Sequence, residues 1–187
     1  MIYIIRHGQT EQNVARRIQG HRDFPLNETG EAQAREARDG FAAHGIVFGR
    51  AYSSPLMRAA RTAEIVVGNA VSITHDDRLM EMGFGPYEGG DLTNLPQELL
   101  TFCKDPVNVA PPAGVETPAE LVARLGAFLE DLKADLGGDA KDINVLVSTH
   151  AIALKAALEY LDPASKGRWL GTFVKNCGVY AVELVDG

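Results

Sequence analysis

Two histidines occupy matching settings far apart in the chain. Arg6-His7-Gly8 follows the apolar run Ile2-Tyr3-Ile4-Ile5, and Thr149-His150 follows the apolar run from Ile143 to Val147. A third loop, Ser53-Ser54-Pro55-Leu56-Met57-Arg58, follows a briefer candidate strand at Ala51-Tyr52. An imidazole can attack an electrophile and divide one difficult displacement into two easier ones. The guanidinium groups of Arg6 and Arg58 stay charged and present planar, charge-assisted donors that fit phosphoryl oxygens. His150 falls at a predicted helix start, where backbone N–H groups and the helix dipole favour an anion. This combination suits phosphoryl transfer, with His7 neutral as the nucleophile and His150 as an imidazolium over the equatorial oxygens. Environment can divide two histidines in this way, because arginines favour the neutral form and a dianionic substrate the cation. A leaving alkoxide also needs a proton. Glu81, in Arg78-Leu79-Met80-Glu81-Met82-Gly83, is the candidate general acid, with Glu88 and Glu116 as competitors. The donor carboxyl must carry its proton at the working pH, which burial or the neighbouring phosphate can arrange.

These three loops can share a site only if their strands run parallel and release them at one sheet edge, the place where open α/β sheets bind ligands. The intervening pattern supports that. Asn27 caps a predicted helix with Ala34, Ala37 and Phe41 at helical spacing and Gly45 as its stop. Ser54 and Pro55 open a second helix. Thr117-Pro118-x-Glu120 is a capping box, and Leu121, Leu125, Phe128, Leu129, Leu132 and Leu136 keep an apolar face until Gly137-Gly138. A helix from Ala151 to Leu161 ends at Asp162-Pro163, and Val179 to Val185 reads as a last strand. The expected fold is a three-layer α/β/α sandwich with a mostly parallel central sheet, one domain over residues 1–187. Residues 83–114, rich in Pro and Gly with one helix near Leu95 to Phe102, read as an excursion over the active-site edge.

Composition narrows the function classes. The 187 residues are 45% hydrophobic and 23% charged, with a net charge of -7 and a pI near 5.2, which argues against a broad nucleic-acid surface. An acidic protein that binds an anion must do so with a local cluster of cations. No apolar stretch approaches the roughly 20 residues of a membrane span, and charged Arg6 ends the first apolar run, so no membrane partner and a cytoplasmic location are expected. Cys103 and Cys177 lack metal-ligand spacing and read as two thiols in a reducing compartment. Asn27-Glu28-Thr29 matches a glycosylation sequon, but the helix-cap reading of Asn27 fits better without a secretory signal. His44 and His75 read as surface residues, Arg61 as salt-bridged, and Asp76-Asp77 beside Arg78 as a solvated turn. His21 lies either at the substrate entrance or on the surface. Phe84, Tyr87 and Phe102 wall the pocket or pack against the sheet edge. Gly83-x-Gly85 has no following helix or lysine and forms no phosphate-binding loop.

Taken in order, these segments resemble the histidine phosphatase superfamily, in its phosphoglycerate mutase-like branch. The resemblance runs through Ile4-Ile5-Arg6-His7-Gly8-Gln9-Thr10-x-x-Asn13, Gln19-Gly20-x-x-Asp23-x-Pro25-Leu26 and Thr29-Gly30-x-x-Gln33-Ala34. It continues through Ser53-Ser54-Pro55-Leu56-x-Arg58-Ala59-x-x-Thr62-Ala63, Glu81 and Ser148-Thr149-His150. It implies His7 as the phosphorylated nucleophile, with Arg6, Arg58 and His150 completing the phosphate pocket, and Glu81 as the proton donor. It also implies Asn13 as a phosphate or substrate contact near Gln19 and Gly20, and no metal or organic cofactor. Where family members often carry Gly after the second histidine, this chain has Ala151, which keeps the backbone N–H for the phosphate but narrows the pocket. Gly114-Val115-Glu116-Thr117 matches the family's Gly-Glu-Ser turn only loosely, so no contact from Glu116 to the site is expected.

The implied activity is a metal-independent phosphomonoesterase acting on a small phosphorylated metabolite. Three alternatives stand beside it: a phosphoglycerate mutase, a phosphatase for phosphohistidine or phosphotyrosine in a protein, and a phospho-ligand binding module without turnover.

Overall fold

A computed structural model describes residues 1–137, 143–165 and 173–183. Five strands form one sheet: β1 (Ile2–Arg6), β2 (Phe48–Ser53), β3 (Ile73–His75), β4 (Asn144–Thr149) and β5 (Val179–Val182), in the order β3-β2-β4-β1-β5. The β1–β4, β2–β4 and β2–β3 pairs are parallel, and only β5 runs against its neighbour β1. The long helices are α2 (Glu28–Ala43), α3 (Met57–Val67), α5 (Pro118–Leu136) and α6 (Ala151–Leu161), with shorter α1 (Glu11–Val14) and α4 (Gln97–Lys104). The expected three-layer α/β/α sandwich with a mostly parallel sheet is what forms.

Side chains alternate across the pleat and so divide the core in two. Ile2, Ile4, Val145 and Val147 pack with α5, α6 and the aromatic residues Phe84 and Phe102, while Ile5, Ala51 and Leu146 pack with Phe41, Ala63 and Val66 of α2 and α3. The three aromatics of the 83–114 region thus belong to the core: Phe84 and Phe102 are buried in it, and Tyr87 lies against it with its hydroxyl bonded to Glu98.

Local signals account for most boundaries. Asn27 accepts the Gly30 N–H as the cap of α2, and Thr117 and Glu120 close the capping box of α5. Strand β2 is longer than the expected Ala51-Tyr52, β4 runs on to Thr149, and three further boundaries also fall elsewhere. Helix α3 begins at Met57 rather than at Ser54-Pro55, because the Ser54 N–H still bonds Ser148 O beside β4, and the cap on the Met57 N–H comes from Asp23 Oδ1, 2.7 Å away. The helix near Leu95 is shifted to Gln97–Lys104, after Pro96. The last strand ends at Val182; the expected residues beyond position 183 lie outside the described residues, as does Gly138. No described helix is long and apolar enough to cross a membrane, and the two cysteines are free thiols.

Candidate active site

Register brings the two histidines together. Arg6 pairs with Thr149 across β1 and β4, and the next N–H along, that of His7, bonds Thr149 O at 2.9 Å. His7 and His150 therefore leave adjacent strands at the same level, with ring centroids 5.1 Å apart at 61°. The chain leaving β1 then presses on the start of α2. A Cβ on Gly8 would lie 2.4 Å from Gly30 O, and one on Gly30 would lie 2.1 Å from Gln9 O, so glycine at both positions lets two backbones touch. Thr62 on α3 fixes this turn by accepting the Gly8 N–H at 3.0 Å.

Hydrogen bonds assign the tautomers. His7 Nδ1 sits 2.6 Å from Gly8 O, which can only accept, so Nδ1 carries the proton and Nε2 holds a free lone pair. His150 Nδ1 receives Arg58 Nε–H at 3.2 Å, a pure donor, so its proton is on Nε2, which donates to Ser54 Oγ at 2.9 Å. Burial, followed by the charge of Arg58, pushes both imidazoles well below their ordinary value; Arg6 adds to this for both, and Arg124 for His150. Burial and the neighbouring guanidiniums thus oppose a charge on His150, and the imidazolium expected there depends on the substrate dianion.

The arginines are placed by backbone carbonyls. Arg58 is fully buried and donates to Gly20 O and Arg22 O, both at 2.8 Å. Arg6 donates from Nη1 to Val174 O at 2.5 Å, while its Nε is a buried donor with no partner among the described residues. An unsatisfied buried guanidinium N–H is costly unless an anion meets it. Burial lowers the pKa of both arginines, partly offset by the charge of Glu81, which lies within reach of each.

Glu81 Oε1 accepts the N–H groups of Met82 (3.0 Å), Ile152 (3.1 Å) and Ala153 (3.0 Å), so this carboxyl group caps α6 beside His150 and does not bond the Ala151 N–H. Of its two competitors, Glu88 holds the N–H groups of His21, Arg22 and Phe84 with its carboxylate and props up Gly20, where a Cβ would overlap its Oε1. Glu116, expected to stay away, accepts the Gly83 N–H at 2.9 Å and pairs with Arg124 at 2.6 Å, because the turn before α5 lies against the loop carrying Glu81. His21 joins the same loop, its Nε2 donating to Glu81 O at 2.8 Å. Asn13 and Gln19 line up behind Thr10: Asn13 Oδ1 accepts from Thr10 N–H and Asn176 Nδ2, and Gln19 Oε1 accepts from Thr10 Oγ1.

Arg124 escaped the sequence reading. Its one signal is a charge three residues after Leu121 and four before Phe128, on the apolar stripe of α5. The remaining residues fall outside the cluster as expected. Arg61 pairs with Glu31 and Glu64, and Arg78 pairs with Asp76 and Asp131. Among the described residues no group of acidic, His or Cys side chains is arranged to hold a metal ion. What the cluster offers chemically is a nucleophilic nitrogen with a free lone pair beside two guanidiniums, a second imidazole and one carboxyl group.

The chain is similar to proteins of known name and structure. The chain is 32% identical over 188 residues to a protein named "Probable phosphoglycerate mutase GpmB" from Escherichia coli O1:K1, covering 97% of this chain and 84% of that one. Among solved structures, Bacillus stearothermophilus YhfR superposes with a TM-score of 0.84 at 28% identity, covering 95% of this chain and 88% of the other. The mycobacterial glucosyl-3-phosphoglycerate phosphatase in complex with VO3 does so with a TM-score of 0.80 at 27% identity, over 94% and 89%. The model of the histidine phosphatase superfamily (branch 1) matches residues 2–187, and the chain belongs to that superfamily.

Proposed function

We propose that the chain hydrolyses a small phosphorylated metabolite as a metal-independent phosphomonoesterase, through a phosphohistidine on His7. The observation that carries this reading is the free Nε2 lone pair of His7, fixed by the Nδ1–H bond to Gly8 O beside His150, Arg58 and Arg6. In the first step Nε2 bonds phosphorus, the ester P–O bond breaks, and the leaving oxygen takes a proton from Glu81. In the second, water attacks phosphorus and gives its proton to the Glu81 carboxylate. The P–N bond breaks with its electron pair returning to Nε2, and inorganic phosphate leaves. Oε1 of Glu81 is taken up by N–H groups, so the transferred proton rides on Oε2, whose one N–H contact is long at 3.3 Å. Arg6 Nε, Arg58 and the Ala151 N–H serve the phosphoryl oxygens. A dianion among them offsets the guanidinium charges that, after burial, disfavour a charged His150, and so favours its cation.

The resemblance to a named mutase favours a second reading, transfer of phosphate within phosphoglycerate. A mutase must shield its phosphohistidine from water and grip a carboxylate. Beyond Glu81 this chain carries Met82-Gly83-Phe84-Gly85-Pro86, which supplies no cation, and Met82 and Phe84 are buried in the core. Hydrolysis is the better fit.

The test is a panel of alkyl and aryl phosphomonoesters assayed with chelator present, on wild type, His7→Ala and Glu81→Ala. Activity should resist chelation and fall to background in His7→Ala. Glu81→Ala should lose far more on alkyl than on aryl esters, whose leaving groups need little protonation. Activity that survives in His7→Ala refutes the phosphohistidine route, and phosphoglycerate isomerised without release of phosphate establishes the mutase.

A further inference from the structure

The carboxyl group assigned as the proton donor stands on backbone that belongs to no helix or strand. Residues 80–84 follow a single 3-10 turn (Asp77–Leu79) and precede another (Gly85–Tyr87), so no ladder fixes where Glu81 sits. Proton transfer needs its donor held to a fraction of an ångström, and loops supply that accuracy poorly.

The structure assigns the task of holding it to Arg124, as a positioning residue for Glu81; this rests on the hydrolytic reading above. The half-buried guanidinium of Arg124 spends all of its N–H donors on two targets. Nη1 donates to Arg78 O at 2.6 Å and Met80 O at 2.8 Å, and Nη2 to Glu81 O at 2.9 Å. Nε and Nη2 also form a two-pronged pair with Glu116, at 2.6 and 3.0 Å. Glu116 Oε2 in turn accepts the Gly83 N–H at 2.9 Å. The loop is therefore gripped on both sides of the acid, at residues 78, 80 and 81 by Arg124 of α5 and at residue 83 by the Glu116 that Arg124 holds.

The fifth tether comes from the loop that holds Arg58. His21 Nε2–H donates to the same Glu81 O, and His21 stands between Gly20 and Arg22, the two residues whose carbonyls hold Arg58. The acid and the phosphate-gripping arginine are thus linked through one carbonyl oxygen and one short loop. Arg124 has no donor left for a substrate, so its removal should act on catalysis by Glu81 and not on binding.

The experiment uses Arg124→Gln and Glu116→Gln in the full chain, each alone and combined with Glu81→Ala, assayed on an alkyl and an aryl phosphate. Arg124→Gln should cut kcat on the alkyl ester by about 10- to 100-fold. On the aryl ester the loss should stay within about 3-fold and KM within about 2-fold, since a good leaving group needs no acid. In the Glu81→Ala background the same substitution should cost nothing further on the alkyl ester. Glu116→Gln, which keeps an oxygen for the Gly83 N–H, should show a weaker loss of the same kind and replaces Arg124→Gln if that variant does not fold. Equal losses on both esters, or a further loss without Glu81, would overturn the assignment while leaving hydrolysis intact. A wild type without phosphatase activity would instead sink the parent reading.

Discussion

Acid should unfold this protein along a slope set by His7 and His150. Both imidazoles are held well below their ordinary value of 6.5 in the folded state, chiefly by burial and then by Arg58. Above that value neither the folded nor the unfolded chain carries these protons. Below it the unfolded chain takes up a proton on each ring while the folded chain resists doing so until the pH reaches the lowered folded values. The unfolded state then binds more protons, so stability rises with pH through this window and is lost as pH falls. Each group contributes about 1.4 kcal/mol per pH unit. Going from about pH 7.5 to about pH 5.5 should therefore cost up to about 1.4 kcal/mol per histidine and up to about 2.7 kcal/mol for the pair. That is a large share of the roughly 5–15 kcal/mol that stabilises a typical domain. Glu31 and Asp76, whose ordinary values of 4.5 and 3.8 are pulled down by Arg61 and Arg78, lose their protons below this window and do not contribute to it. Urea unfolding at a series of pH values, on wild type and the His7→Asn/His150→Asn double variant, measures the slope directly. The double variant should be nearly flat between those limits whatever its absolute stability. Equal slopes for the two proteins would show that the buried rings do take up protons, and the reasoning fails.

Other consequences are as specific. Arg58→Lys keeps the charge but gives up the fork that reaches Gly20 O, Arg22 O and His150 Nδ1 together, so kcat/KM should fall about 100-fold or more in a steady-state assay. Gly8→Ala drives a methyl group into the Gly30 backbone and should cost about 3 kcal/mol in denaturant unfolding, with no rescue from a smaller neighbour because the obstacle is main chain. Vanadate, which imitates the five-coordinate phosphorus of an in-line attack, should inhibit competitively and raise Tm in wild type but not in His7→Ala. Indifference to vanadate would count against attack by His7.

Much of this was legible before any coordinates. Ile2 to Ile5 and the β-branched run before Thr149 carry their own evidence of burial, and strand-then-loop placement put His7, Arg58 and His150 at one edge. The capped helices α2 and α5 were equally plain, because Asn27 and Thr117-Glu120 act on their own nearest N–H groups. What stayed hidden depends on distant partners. The start of α3 is moved by Asp23, thirty-four residues before Met57. Strand β3 is a three-residue edge strand with mostly exposed side chains and no alternation to detect. Helix α1 is one turn, closed by Thr10 with Asn13 where a glutamate or glutamine is usual. The downward shift of His150 comes first from burial and then from Arg58, with Arg6 and Arg124 adding to it, and only the fold brings these together.

The position of β1 carries a consequence for how the molecule comes into being. This opening strand lies between β4 and the antiparallel β5, so the middle of the sheet is made from the first few residues and the last third of the chain. During synthesis, β1 leaves the ribosome long before either partner exists, and its apolar residues must wait, unpaired, for about 140 more. A nascent chain halted before residue 144 has no place to seat its nucleophile, and a cell that makes this protein has reason to keep that first strand covered until the end arrives.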